Sequence, residues 1–95
     1  MFCLPEIETL RQYDLEHETE YLLTLYLYVC YPKNIHLVCE KLHIHKNTLY
    51  FRLGKIKEMT ELDFDFAPVI SMIIISILFM RINGSIDIPL SEVSE

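Results

Sequence analysis

Glycine, proline and paired cysteines are scarce in this sequence, and each shortage excludes a class of protein. Two glycines and four prolines in 95 residues leave few of the turn signals that many-stranded folds require. The sequence has neither a glycine-rich phosphate loop nor a Gly-x-Ser-x-Gly turn, so we expect no enzyme of the kinds that use those motifs. Leu, Ile, Met, Glu and Lys dominate instead, and this balance predicts an all-α domain.

Cysteine and histidine give little support for a metal site or a disulfide. The three cysteines, Cys3, Cys30 and Cys39, are an odd number without a paired spacing, which predicts reduced, packed thiols in a cytoplasmic protein. Four possible ligands lie close together in the sequence, namely His36, Cys39, His43 and His45. Their intervals fit no pair-and-pair zinc template, so we expect no metal and no cofactor.

The sequence also lacks an apolar run long enough to cross a membrane. The longest run, residues 66–80, would make a helix of about 22 Å, and a bilayer needs roughly 20 apolar residues. The N-terminus is acidic and has no apolar signal segment, so we expect a cytoplasmic protein. The run predicts a buried last helix from about Pro68 to Asn83. Because it is apolar around most of its circumference, we expect it to form a homodimer interface or to contact another domain.

Charge is strongly segregated. Six of the eight Lys and Arg residues and only one acid, Glu40, lie within residues 33–57. This stretch carries +5, whereas the whole chain carries −6 and the remainder therefore −11. An acidic protein with one basic segment has a defined place where a polyanion would bind.

Apolar spacing and capping residues predict about five helices. A short helix spans about Leu4 to Tyr13, with Asp14 as a capping residue, and a longer one spans about Glu16 to Tyr31. Asn34 caps the next helix, Ile35 to Leu42. After a turn at His43-Ile44, either His45 or Asn47 caps a helix that runs to about Met59. Its inward residues are Leu49, Leu53 and Ile56. We expect residues 1–84 to form one domain and residues 85–95 a C-terminal tail.

Residues 34–58 predict a helix-turn-helix, whose second helix, about 46–58, would lie in the major groove of DNA. Turning the apolar residues inward leaves Lys46, Asn47, Tyr50, Gly54 and Lys57 on the other side. Base contacts are expected from Lys46, Asn47 and Tyr50, because Asn pairs with adenine and Lys reaches guanine acceptors. His45 would cap the helix or contact DNA. Phosphate contacts are expected from Lys33, Lys41, Thr48, Arg52, Lys55 and Lys57.

Two simpler interpretations compete with these assignments. The basic face could be only a solvated surface, although the charge segregation and the helix-turn-helix spacing agree independently. Arg52 in particular could pair with an acidic residue, either in the 16–20 segment or at Asp63, and so serve the fold alone.

The string His45-Lys46-Asn47-Thr48-Leu49-x-Phe51-Arg52-Leu53 resembles the C-terminal helix-turn-helix of the PucR (purine-catabolism regulator) family. The resemblance covers about Leu10 to Leu78 and extends to Asn34, Ile56 and Leu62-Asp63. It implies a Fis-like, DNA-binding domain of a longer bacterial transcription regulator, whose upstream domain senses a metabolite. The sequence departs from the family at Lys46, which is usually Arg, at Tyr50, which is usually basic or polar, and at Glu61, which is usually Gly.

The main alternative function is a protein-interaction module. Such a domain would keep the fold and dimerise through its apolar last helix, with DNA binding weak or lost. The overall charge of −6 favours this alternative, because it opposes long-range attraction to DNA.

Overall fold

The computed structural model describes residues 4–82, and within this range it contains five α-helices and no strand. The helices are α1 (Pro5–His17), α2 (Tyr21–Cys30), α3 (Ile35–Leu42), α4 (Lys46–Thr60) and α5 (Ala67–Ile82). The predicted all-α class and the number of helices are confirmed. The predicted C-terminal tail, the predicted end of the last helix at Asn83 and Cys3 lie outside the described residues.

The boundary between the first two helices differs from the prediction. α1 continues to His17 and ends at Glu18, which adopts a left-handed conformation with φ 54°. α2 begins only at Tyr21, so the prediction of one long helix from Glu16 was wrong. Apolar periodicity could not reveal this break, because it interrupts a stretch that is polar throughout.

Asp14 was predicted to cap a helix that ends at Tyr13, but it lies inside α1 and caps the start of α2 instead. Its carboxylate accepts hydrogen bonds from the backbone N–H groups of Tyr21 (3.0 Å) and Leu22 (2.9 Å) and from the hydroxyl of Thr19. These N–H groups belong to the first turn of α2, which has no intrahelical acceptor for them. The negative charge also favours the positive end of the helix dipole. One side chain therefore joins α1 to the start of α2.

α2 is the central helix of the domain and packs against all four others. Seven of its ten residues are buried, and they include Leu22, Leu25, Tyr26 and Val29, which follow each other at helical spacing. α1 contributes Ile7 and Leu10 to the same core. Because α2 is enclosed on every side, it tolerates apolar residues around its whole circumference.

α5 is buried on one side, and its other side, which the sequence analysis expected to contact a second copy or another domain, is exposed. Ile73, Ser76, Ile77 and Met80 face the core, and the Ser76 hydroxyl accepts a hydrogen bond from the backbone N–H of Leu4 at 2.9 Å. The opposite side leaves Met72, Ile75 and Ile82 at least half exposed. Within residues 4–82, no helix has the length and apolar character needed to cross a membrane.

Glu61 ends α4 in a left-handed conformation, with φ 57° and ψ 23°. This is the position where the PucR family usually has Gly, and left-handed backbone costs a residue with a Cβ about 1 kcal/mol. We expect Glu61→Gly to raise the free energy of unfolding by about 1 kcal/mol, measured by urea denaturation. Glu61→Ala removes the same charge but keeps the Cβ, so an equal gain in that variant would contradict the explanation.

Candidate nucleic-acid interface

The first motif helix, α3, is held by a cap at each end. The Asn34 side chain accepts a hydrogen bond from the backbone N–H of Leu37 at 3.3 Å, as predicted for an N-cap. At the other end His43 is left-handed (φ 58°), and the N–H of Ile44 donates to the carbonyl of Cys39 at 3.1 Å. This turn directs the chain into α4. Val38 is buried between the helices.

α4 begins at Lys46 with His45 as its cap. The Nδ1 atom of His45 accepts a hydrogen bond from the backbone N–H of Asn47 at 3.2 Å, so His45 is the cap, and the Asn47 side chain is not needed for that role. The side chains of Lys46, Asn47 and Thr48 are all exposed in this first turn. The turn therefore presents polar side chains at the end of the helix that recognition helices direct toward bases.

The buried side of α4 consists of Leu49, Leu53, Ile56 and Thr60, which confirms the predicted inward stripe. Residues two positions earlier or later on a helix point to nearly the opposite side, because each residue turns the helix by about 100°. The stripe most remote from the core is therefore Asn47, Phe51, Gly54 and Glu58, all of which are exposed.

Phe51 is the residue on this outward stripe that the sequence interpretation missed. Its side chain is 62% exposed, compared with 52% for Tyr50. The spacing of Leu49, Leu53 and Ile56 contained the necessary signal, because it places Phe51 opposite the inward stripe. Its apolar character made it an unlikely candidate for a polar interface.

One stripe of α4 consists of the buried Leu53 and three exposed residues, Lys46, Tyr50 and Lys57. These three residues therefore border the core and do not lie opposite it. Lys57 Nζ lies 5.6 Å from the ring centroid of Phe64. Tyr50 lines an open cavity of about 360 Å³ together with Tyr28, Lys33 and Asp65 among others. In that cavity the Tyr28 hydroxyl donates to Asp65 at 2.9 Å, and burial together with this carboxylate raises the pKa of Tyr28 to about 12.

Three other predicted phosphate ligands lie on different elements, in the loop before α3, on α3 and on α4. Lys33 is exposed in the loop before α3, where it is left-handed (φ 65°), and Lys41 Nζ lies 5.6 Å from the ring centroid of Tyr31. Lys55 Nζ lies 4.0 Å from the Glu58 carboxylate. An exposed pair at this distance contributes little to stability, so Lys55 can exchange its partner at small cost.

Arg52 has a contact that the sequence did not predict. Its Nη1 donates a hydrogen bond to the hydroxyl of Thr24 at 3.0 Å, and Thr24 is fully buried in α2. Within residues 4–82, no ion pair links Arg52 to an acidic residue. Arg52 thus ties α4 to the central helix, and only part of its guanidinium is committed to that bond.

Gly54 lies on the outward stripe, and a Cβ added at this position would meet no atom of residues 4–82 within 4 Å. Glycine in the middle of a helix costs about 1 kcal/mol relative to alanine, and no close packing among the described residues requires it. Because glycine has no Cβ, Gly54 would allow another molecule to approach the backbone of α4 closely.

A broad groove of about 730 Å³ runs beside α3 and the turn that follows it. Its lining includes all four candidate metal ligands, His36, Cys39, His43 and His45. Nevertheless, no group of three or more His, Cys, Asp or Glu side chains among the described residues is placed to hold a metal ion. Cys30 and Cys39 are half-buried free thiols. Burial raises the pKa of the Cys30 thiol, which further favours its protonated form.

A capped α3, a short turn and a basic, exposed α4 packed on a central helix define a helix-turn-helix domain of the kind that transcription regulators use to bind DNA. A model of the PucR C-terminal helix-turn-helix domain matches residues 21–76, more than half of the chain. The chain belongs to this family, and the predicted family membership is confirmed.

A similar protein of known function is the DNA-binding transcriptional activator AdeR of Bacillus subtilis (strain 168). It is 33% identical to this chain over 57 residues, which cover 60% of the chain but only 14% of AdeR. The chain thus corresponds to a small part of that relative. No solved structure gave a significant match.

Proposed function

We propose that this domain binds duplex DNA sequence-specifically, with the first turns of α4 in the major groove. The observation that carries the proposal is the uncovered N-terminal half of α4, where Lys46 and Asn47 project into solvent from the basic segment. Glu58 lies on the same outward stripe near the other end, and its charge disfavours contact with phosphates there. The helix would therefore enter the groove by its N-terminal end.

Within this proposal, the base-reading residues are Lys46, Asn47 and Tyr50. Phosphate contacts come from Lys33, Lys41, Thr48, Arg52, Lys55 and Lys57. His45 serves as the cap and also lies close enough to the first turn to contact DNA. Arg52 would bind a phosphate only with the part of its guanidinium that Thr24 does not use.

The test is a gel shift of a random duplex pool at about 50 and 200 mM salt, because phosphate contacts release counterions and make binding salt-dependent. We expect Lys55→Ala to weaken binding to all sequences alike and to lower the salt slope by about one. Glu58→Ala removes the partner of Lys55 and is the control, with binding kept or improved. Absence of binding at low salt would favour the interaction module.

We further propose that the domain acts as a homodimer through the exposed side of α5. Met72, Ile75 and Ile82 are exposed on one helix, and a second copy would remove them from water. Helix-turn-helix proteins commonly bind DNA as two-fold symmetric dimers, in which each copy contacts one of two half-sites.

Sedimentation equilibrium tests the dimer. We expect a mass of about twice 11.3 kDa for the wild type and a monomer for Ile75→Glu, because a buried unpaired charge opposes the interface. Leu15→Glu changes an exposed leucine on α1, 66% exposed compared with 53% for Ile75, and should leave the dimer intact. A monomeric wild type, or equal effects of both variants, would refute the α5 interface.

In the complete protein we expect the domain to follow a metabolite-sensing domain and to act in the cytoplasm as a regulator, not as an enzyme. The small share of AdeR that the chain matches supports a longer architecture. The helix-turn-helix fold provides the DNA contact of such a regulator.

A further inference from the structure

Phe51 is an apolar side chain at the centre of the face that the proposed function directs into the major groove. It lies on the outward stripe between Asn47 and Gly54, one helical turn from each, and it is 62% exposed. A single exposed apolar residue on a protein surface needs no explanation. Here, however, the neighbours on the same face are the candidate base-reading residue Asn47 and a glycine with nothing within 4 Å of its Cβ position.

The charged side chains around Phe51 indicate which part of a DNA duplex could cover it. On one side of Phe51 there is an open depression of about 430 Å³. Its lining includes Thr48 and Arg52 of α4 and also Glu18 and Glu20, which lie in the loop between α1 and α2. The two exposed carboxylates oppose the charge of Arg52 on that side, so a phosphate is less favoured beside Phe51 than beside the lysines of the basic segment. Base edges on the floor of the major groove carry no formal charge, and the lysines of the basic segment flank the helix to hold the backbone. Charge therefore favours bases over phosphates as the partner of Phe51.

We propose that Phe51 is a specificity-determining residue that contacts the C5 methyl group of a thymine in each half-site. This methyl group is the only apolar feature that a base pair presents in the major groove, and a phenyl ring is a suitable contact for it. The inference rests on the proposed function, since it requires α4 to lie in the groove. Burial of one methyl group changes an equilibrium constant by about a factor of four.

The experiment begins with selection of a preferred duplex from a random pool by the full 95-residue chain. Each thymine of the selected site is then replaced singly by deoxyuridine, which removes only the C5 methyl group. Dissociation constants are measured for the wild type and for Phe51→Ala. We expect at least one replacement to weaken wild-type binding about fourfold and to have no effect on Phe51→Ala. Leu15→Ala, which also truncates an exposed apolar residue, should show the wild-type pattern.

The outcomes separate this inference from the function on which it rests. If the wild type binds DNA in a salt-dependent manner but both proteins respond identically to every deoxyuridine, the thymine contact is refuted and the DNA-binding function stands. A selected site without thymine has the same meaning. If the wild type binds no duplex at all, both proposals fail, and Phe51 would belong to a protein-binding surface.

Discussion

Replacing Lys46 and Asn47 together by alanine is expected to reduce affinity for the selected duplex by about 30-fold or more. Each good bidentate contact between such a side chain and a base is worth about 1–3 kcal/mol, and the double variant removes two of them. The remaining lysines still hold phosphates, so residual binding should be weak, salt-dependent and nearly independent of sequence. Gel shifts with the selected duplex and with a scrambled duplex measure both effects.

The fold should survive this double substitution. Both side chains are exposed, and the Asn47 contact with the His45 cap uses the backbone N–H, which alanine retains. Arg11→Ala with Gln12→Ala is the matched control, because it also removes one positive charge and one amide, but from α1. That control loses an ion pair between Arg11 and Glu8 at 2.6 Å, worth at most about 1 kcal/mol when partly exposed.

Only the α4 variant should lose discrimination between the two duplexes. If both double variants weaken binding equally, then net charge governs the interaction and α4 is not the reading helix. If neither weakens it, the DNA contact lies elsewhere on the domain.

Replacing Asp14 by alanine is expected to lower the free energy of unfolding by about 2 kcal/mol, or roughly 8–16 °C in Tm for a domain of this size. The variant would leave the N–H groups of Tyr21 and Leu22 without their acceptor and would remove the partner of the Thr19 hydroxyl. Since α2 packs against every other helix, a frayed first turn also weakens the core around it. Thermal unfolding followed by circular dichroism measures the loss.

Two variants control for charge and for hydrogen bonding. Glu16→Ala removes an exposed acid from the same helix and should change stability by less than about 0.5 kcal/mol. Asp14→Asn keeps one acceptor oxygen in place and should lose less than Asp14→Ala. Equal losses in Asp14→Ala and Glu16→Ala would show that net charge, and not the cap, is responsible.

The parts of the fold that the sequence predicted well are those encoded by neighbouring residues. α3 and α4 have their caps, Asn34 and His45, immediately before them, and the inward stripe of α4 repeats at helical spacing. The break between α1 and α2 escaped prediction because the residue that caps α2, Asp14, lies almost one helical turn before the end of α1 and is separated from α2 by a loop. Propensity rules search for a cap next to the helix that it serves.

Charge segregation and the His-Lys-Asn-Thr string predicted a DNA-binding face on α4, and in the structure the first turn of that helix is capped and exposed. The detailed contacts of this face were harder to predict. The bond between Arg52 and Thr24 joins residues 28 positions apart, and such pairings depend on how helices pack, which spacing alone cannot specify. Phe51 was overlooked because apolar residues were assumed to point inward.

The bond between Arg52 and Thr24 distinguishes a position of α4 that supports the fold from the exposed positions on the same helix. Lys46, Asn47 and Phe51 are exposed, so under the proposed function their replacement would alter operator preference at little cost in folding. Arg52 instead joins α4 to α2 by its hydrogen bond to Thr24. Exchanging the outward residues while keeping Arg52 and Thr24 would therefore be the sound way to retarget this domain to a different DNA sequence.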